Sequence, residues 1–139
     1  MKYIKKYKVF ESITEKDMDD VAEDIREILL PLKHDRVNFK VEPHFITNPN
    51  LQHFIEVDIK GENIKNYIDE LRQLVSTLDD KGWSIINDRG ETYSWCKDKI
   101  SKENIETLGL IFYFDDIDSM TTELENKDCD IINFRFYEK

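Results

Sequence analysis

Gln52-His-Phe-Ile-Glu-Val-Asp-Ile-Lys60 is followed by Gly61-Glu-Asn-Ile-Lys-Asn-Tyr-Ile-Asp-Glu-Leu-Arg-Gln-Leu-Val-Ser-Thr-Leu-Asp-Asp-Lys-Gly82, and then by Trp83-Ser-Ile-Ile-Asn-Asp88. In the first segment Ile55, Val57 and Ile59 alternate with Glu56, Asp58 and Lys60. Period two is the mark of a strand with one face buried. After Gly61 the period becomes 3.6, with Ile64, Tyr67, Ile68, Leu71, Leu74, Val75 and Leu78 apolar. At about 100° per residue these side chains share roughly 120° of arc, the core-facing stripe of an amphipathic helix. Lys81 places a cation in the last turn, and Gly82 tolerates the positive φ that commonly follows a helix. Trp83-Ser-Ile-Ile86 starts another strand. The unit reads strand, helix, strand.

Upstream, Tyr3 to Phe10 alternates as a strand, with Tyr7 and Val9 set against Lys6 and Lys8. Ser12-Ile-Thr-Glu15 fits a capping box, and Thr14 with Asp17 offers an overlapping start. The helix that follows carries Met18, Val21, Ala22, Ile25, Ile28, Leu29 and Leu32 on one stripe, and Pro31 ends it near Leu30. These seven positions match those of the later helix at a constant offset of 46 residues. The alternating Arg36–Val41 and the strand at 52–60 make a hairpin turned at Thr47-Asn-Pro-Asn50, with Pro43 limiting the strand or marking a bulge. A repeated strand–helix–strand unit of this kind predicts a split βαβ arrangement.

Downstream, Asn87-Asp-Arg-Gly90 turns the chain into Thr92–Cys96, read as a hairpin partner. Ser101 caps a short helix ending at Gly109. Leu110–Phe114 is apolar throughout, as a strand buried on both faces would be. A short helix over Ile117–Asn126 and a strand over 130–136, with Ile132, Phe134 and Phe136 on one face, complete the pattern. The expected fold is α+β: a ferredoxin-like βαββαβ core in residues 1–88, with a C-terminal extension, 89–139, of additional strands and short helices packed on it in a single domain. The competing arrangement is an antiparallel sheet in another order with both helices on one face.

The chain has 139 residues, 40% of them hydrophobic, which is enough for a packed core. No apolar run approaches the roughly 18–20 residues of a membrane span. The basic opening lacks the apolar segment of an export signal, and two cysteines do not indicate a disulfide framework. A cytoplasmic setting is expected. Thirty acidic residues face twenty basic ones, a net charge of −10. Four of those cations lie in the first eight positions, so the remainder is more acidic still. Direct binding to nucleic acid or to an anionic membrane is not expected, because phosphate contacts need Lys and Arg.

Few patterns carry chemistry. Gly61, Gly82, Gly90 and Gly109 sit at element boundaries, and no phosphate-cradling glycine pattern is present. His34, His44 and His53 lack metal-ligand spacing, although His44 and His53 flank the 47–50 turn and can approach each other across the hairpin. Nothing in the sequence brings a histidine to Cys96 or Cys129. Asp115, Asp116 and Asp118 follow a strand and are candidate Mg²⁺ ligands, the basis of an alternative reading as a metal-dependent enzyme. The same pattern is explained by a strand end and a helix N-cap at Asp118 or Ser119. Phe54 and the N-terminal aromatics suggest base stacking, but Glu56 and Asp58 share the face of Phe54 and repel phosphate. The C-terminal elements are expected to cover that face. No cofactor is predicted.

The most distinctive surface lies on the first helix, where Asp19, Asp20, Glu23, Asp24 and Glu27 occupy the arc opposite the apolar stripe. A second acidic run spans Asp115–Asp130, with Lys127 its one cation. Like charges at i,i+4 cost a few tenths of a kcal/mol each. They point to a non-enzymatic protein that uses the helix face, residues 19–27, to bind a basic protein surface, or to a merely solubilising charge.

The opening Met-Lys-Tyr-Ile-Lys-Lys-Tyr-Lys-Val-Phe-Glu-Ser12 resembles the start of many small bacteriophage-encoded proteins of unassigned role. The resemblance covers twelve residues and transfers no functional residue. It implies a binder or inhibitor of a host nucleic-acid-handling protein, acting as a nucleic-acid mimic.

Overall fold

The computed structural model describes residues 14–48, 50–98 and 111–139. Helix α1, Glu15–Leu29, starts at the Thr14 capping box: the Asp17 N–H donates to Thr14 Oγ1 (3.1 Å) and the Thr14 N–H to Asp17 Oδ2 (3.0 Å). The alternative start at Ser12 lies outside the described residues. Met18, Ala22, Ile25 and Leu29 of the stripe are fully buried. Pro31 has no N–H for an α-helical bond, and the chain tightens after Leu29 into a 3₁₀ turn, Leu30–Asp35, closed by Arg36 at φ 64°. Helix α2, Ile68–Asp80, follows a 3₁₀ turn at Ile64–Tyr67 and buries Leu71, Leu74 and Leu78. Gly82, at φ 90°, lets the chain leave this helix where a β-carbon would be strained.

Among the described residues six strands form one antiparallel sheet. They are β1 (Asn38–His44), β2 (Phe54–Lys60), β3 (Trp83–Ser84), β4 (Trp95–Asp98), β5 (Ile111–Tyr113) and β6 (Cys129–Glu138). Their order is β1-β2-β6-β4-β5, with β3 also bonded to β6. The β1–β2 hairpin pairs throughout, from Asn38 with Lys60 to His44 with Phe54. Strand β6 then pairs residues 131–137 with residues 54–60 on one side, and meets β3 and β4 on the other. The α+β class is what the sequence predicts, and the described strands do not follow the ferredoxin-like order. In the ferredoxin-like order the strand between 52–60 and 83–86 is the N-terminal one, residues 3–10, which lies outside the described residues. Here β6 holds that position.

The pleat sorts the side chains. Val41, Val57 and Phe134 lie in one cross-strand row, Phe39, Ile59, Ile132 and Cys96 in the next. These rows pack with α1, α2 and helix α3 (Ile117–Asn126) in one cluster that includes Met18, Leu74, Met120, Leu124, Phe114 and Phe136. Each fully buried Leu, Ile or Phe contributes about 1.5–3 kcal/mol of transfer free energy.

One expectation fails here. The described residues 111–114 do not form a strand buried on both faces: β5 ends the order of the described strands, Ile111 is 48% and Tyr113 63% exposed, and Phe112 between them turns toward the cluster. The described C-terminal strands β4, β5 and β6 extend the sheet beside β2, and Phe54, Glu56 and Asp58 are half-buried, with Arg135 and Tyr137 of β6 against Phe54. The expected helix from Ser101 to Gly109 lies outside the described residues. No described helix is long and apolar enough to cross a membrane.

Candidate functional site

Because α1 is seated by its apolar stripe, its opposite arc faces outward. Asp19, Asp20, Glu23 and Glu27 are exposed and Asp24 is half-buried. The five are not equivalent. Glu23 Oε2 accepts from Arg26 Nη1 (2.9 Å), and the same guanidinium donates to the Val41 carbonyl (3.0 Å), tying the helix to β1. Asp24 Oδ2 accepts from Lys81 Nζ (2.8 Å), which ties α1 to the end of α2. Asp19, Asp20 and Glu27 make no ion pair with a described residue. Among the described residues the predicted face therefore divides into two structural carboxylates and three without an ion pair.

The aspartates of the second acidic run are not brought together. Asp116 is the N-cap of α3, its carboxylate accepting from the Ser119 N–H at 2.7 Å. The Asp115 N–H donates to Ser119 Oγ, and Asp118 pairs with Arg72 at 3.3 Å. Asp115 and Asp116 border a groove of about 570 Å³ whose apolar wall includes Val75, Trp83 and Ile85. Capping accounts for the Asp116 carboxylate and ion pairing for that of Asp118, while Asp115 Oδ1 accepts from the Thr92 hydroxyl at 3.5 Å; the cap is at Asp116 instead of Asp118 or Ser119.

His44 and His53 do not meet as a pair of ligands. His53 Nδ1 accepts from the Ile46 N–H (2.8 Å), its ring stacks on Phe45 with centroids 4.4 Å apart, and burial lowers its pKa. It is a fastener of the hairpin loop. Cys96 and Cys129 are buried in the core cluster.

His44 instead joins two residues that sequence reasoning missed. Glu42 and His44 alternate onto one face of β1, and the register sets Glu56 of β2 directly opposite Glu42. Like charges facing each other across an antiparallel pair are destabilising. One ligand atom from each of Glu42, His44 and Glu56 lies within 4.8 Å of the other two. His44 Nε2 stands 3.9 Å from Glu42 Oε2 and 3.9 Å from Glu56 Oε1, too far for a hydrogen bond. That nitrogen is buried and has no hydrogen-bond partner among the described residues.

The outer oxygens are held separately. Glu42 Oε1 takes Lys40 Nζ at 2.7 Å, and this hydrogen bond keeps the Glu42 carboxyl below its usual pKa. Glu56 Oε2 lies 3.6 Å from Arg135 Nε. The His44 ring stacks on Phe54 (4.5 Å, 21°), and the Arg135 guanidinium lies over the same Phe54 ring at 4.8 Å. Comparison with protein-family models, curated proteins and solved structures returns no match.

Proposed function

We propose that the protein is a small acidic binding protein without an enzymatic activity of its own, working in the cytoplasm by docking the outer face of α1 on a basic surface of a protein partner. The observation that carries this reading is the set of exposed carboxylates at Asp19, Asp20 and Glu27, without an ion pair among the described residues, on a helix that its buried stripe and the Arg26 and Lys81 contacts hold in place. A rigid helix presents its charges without an ordering cost on binding. Together with the phage-like opening, the reading makes the partner a host protein whose basic surface otherwise holds nucleic acid, with α1 acting as its mimic.

Asp24 and Glu23 are the wrong residues to reverse first, because Asp24 anchors α2 through Lys81 and Glu23 steadies Arg26. The informative variant combines Asp19→Lys, Asp20→Lys and Glu27→Lys. Native and triply reversed proteins are immobilised side by side and challenged with extract of the cells that make the protein. A partner of the proposed kind stays on the native protein, leaves it at about 0.5 M salt, where exposed charges are screened within a few ångströms, and ignores the reversed one. Equal retention on both proteins, undisturbed by salt, refutes the reading.

A further inference from the structure

We propose that Glu42, His44 and Glu56 form a binding site for a divalent first-row transition metal of the Zn²⁺ type on the sheet face turned away from the helices. Four features carry this. The donor set of one imidazole nitrogen and two carboxylates matches three-residue sites that leave a further position for water. The inner oxygens, Glu42 Oε2 and Glu56 Oε1, both face His44 Nε2, each 3.9 Å from it. Around a tetrahedral ion with bonds of about 2.1 Å the donors stand about 3.4 Å apart, so each oxygen need close on Nε2 by about half an ångström, and no two of the three donors are more than 4.8 Å apart. The buried Nε2 has no hydrogen-bond partner among the described residues, and an ion between the three groups supplies one.

The surroundings are arranged as a supporting shell. Lys40 and Arg135 engage the outer oxygens of the two carboxylates and leave the inner pair for the ion. Phe54 fixes the His44 ring by stacking and is itself overlain by Arg135. Partners that orient the ligands in this way commonly change affinity by about 10–100-fold. The ion also answers the otherwise unfavourable facing of Glu42 and Glu56 across the hairpin. The site is independent of the α1 face and does not rest on that proposal.

The test is a calorimetric titration of the purified chain with ZnCl₂, repeated with CoCl₂ so that the visible absorption of cobalt reports its ligands. One equivalent is expected to bind, with a cobalt spectrum showing a nitrogen ligand and a Zn²⁺-dependent shift of the His44 ring resonances. His44→Ala and Glu56→Gln are each expected to weaken binding about tenfold or more, whereas the pair Asp115→Asn and Asp118→Asn leaves it unchanged. The resonance shift in the native protein keeps the proposal testable if a variant folds poorly. Absence of saturable binding overturns it, as does binding that survives His44→Ala or disappears with the Asp115 and Asp118 pair.

Discussion

Truncating Phe134 measures whether residues 129–138 belong to the centre of the molecule. This side chain is fully buried and sits opposite Val57 in β2. Its ring meets Phe114 edge-on at 5.7 Å and stacks with Phe136 at 5.5 Å. Phe134→Ala removes the ring and leaves a cavity with β2 and β4 on its flanks, a loss of about 3–5 kcal/mol. Phe134→Leu keeps most of the volume but loses both ring pairs, at about 0.5–1.5 kcal/mol each, hence about 1–3 kcal/mol. Domains of this size have about 5–15 kcal/mol in all, so the alanine variant should be marginal but still folded in buffer. Urea unfolding is the assay, read by fluorescence of Trp83 and Trp95, which lie on two of the strands paired with β6, and by helical circular dichroism. With a urea slope of about 2 kcal/mol per molar, the alanine midpoint falls by about 2 M. The two signals should stay coincident, because one core cluster joins helices and strands. A loss below about 1 kcal/mol, or fluorescence that melts apart from the helices, would show that β6 is an accessory strand.

Ile25→Ala and Leu71→Ala each empty the middle of a helix stripe and should lower stability by about 2–5 kcal/mol; unchanged urea midpoints in both would take these helices out of the core. The His53 pKa is depressed by burial, and its Nδ1 must be unprotonated to accept from Ile46. A depressed folded-state pKa means that this contribution is complete above the unfolded value of about 6.5 and is lost as pH falls toward and through the folded one. Native stability should therefore drop more steeply below about pH 6.5 than that of His53→Gln; parallel curves from denaturant melts at stepped pH would refute this.

Helices and single strands were legible because their signals are local. The stripe from Met18 to Leu29 and the alternation of Ile55, Val57 and Ile59 each describe one face of one element, and burial follows them residue by residue. Sheet order was not legible, since the period-two pattern of residues 130–136 says that a strand exists and not which strands flank it. Leu110–Phe114 misled for a related reason: five apolar residues read alike at a sheet's centre and at its edge, and Tyr113 and Ile111 are exposed at the edge. The unpaired carboxylates of α1 could be placed on an arc, but Lys81, which neutralises Asp24, lies 57 positions away. Glu42 and Glu56 needed the hairpin register, and the loop between His44 and Phe54 leaves that register open until tertiary contacts close it. The alternation of Glu42 and His44 was the one sign in the sequence, and it gained meaning only beside β2.

The place of β6 governs what the chain can do while it is being made. Among the described strands, β3 bonds only to β6, and β2 and β4 reach each other only through it. Until residues 129–138 leave the ribosome, the described strands form two separate antiparallel pairs, β1–β2 and β4–β5, each with an inner edge that β6 will later match. Such edges are templates for pairing with another chain, and pairings this distant in sequence close slowly. The nascent protein therefore passes through a window in which it is open to aggregation and to chaperones, and insertion of one late strand ends that window for both halves at once.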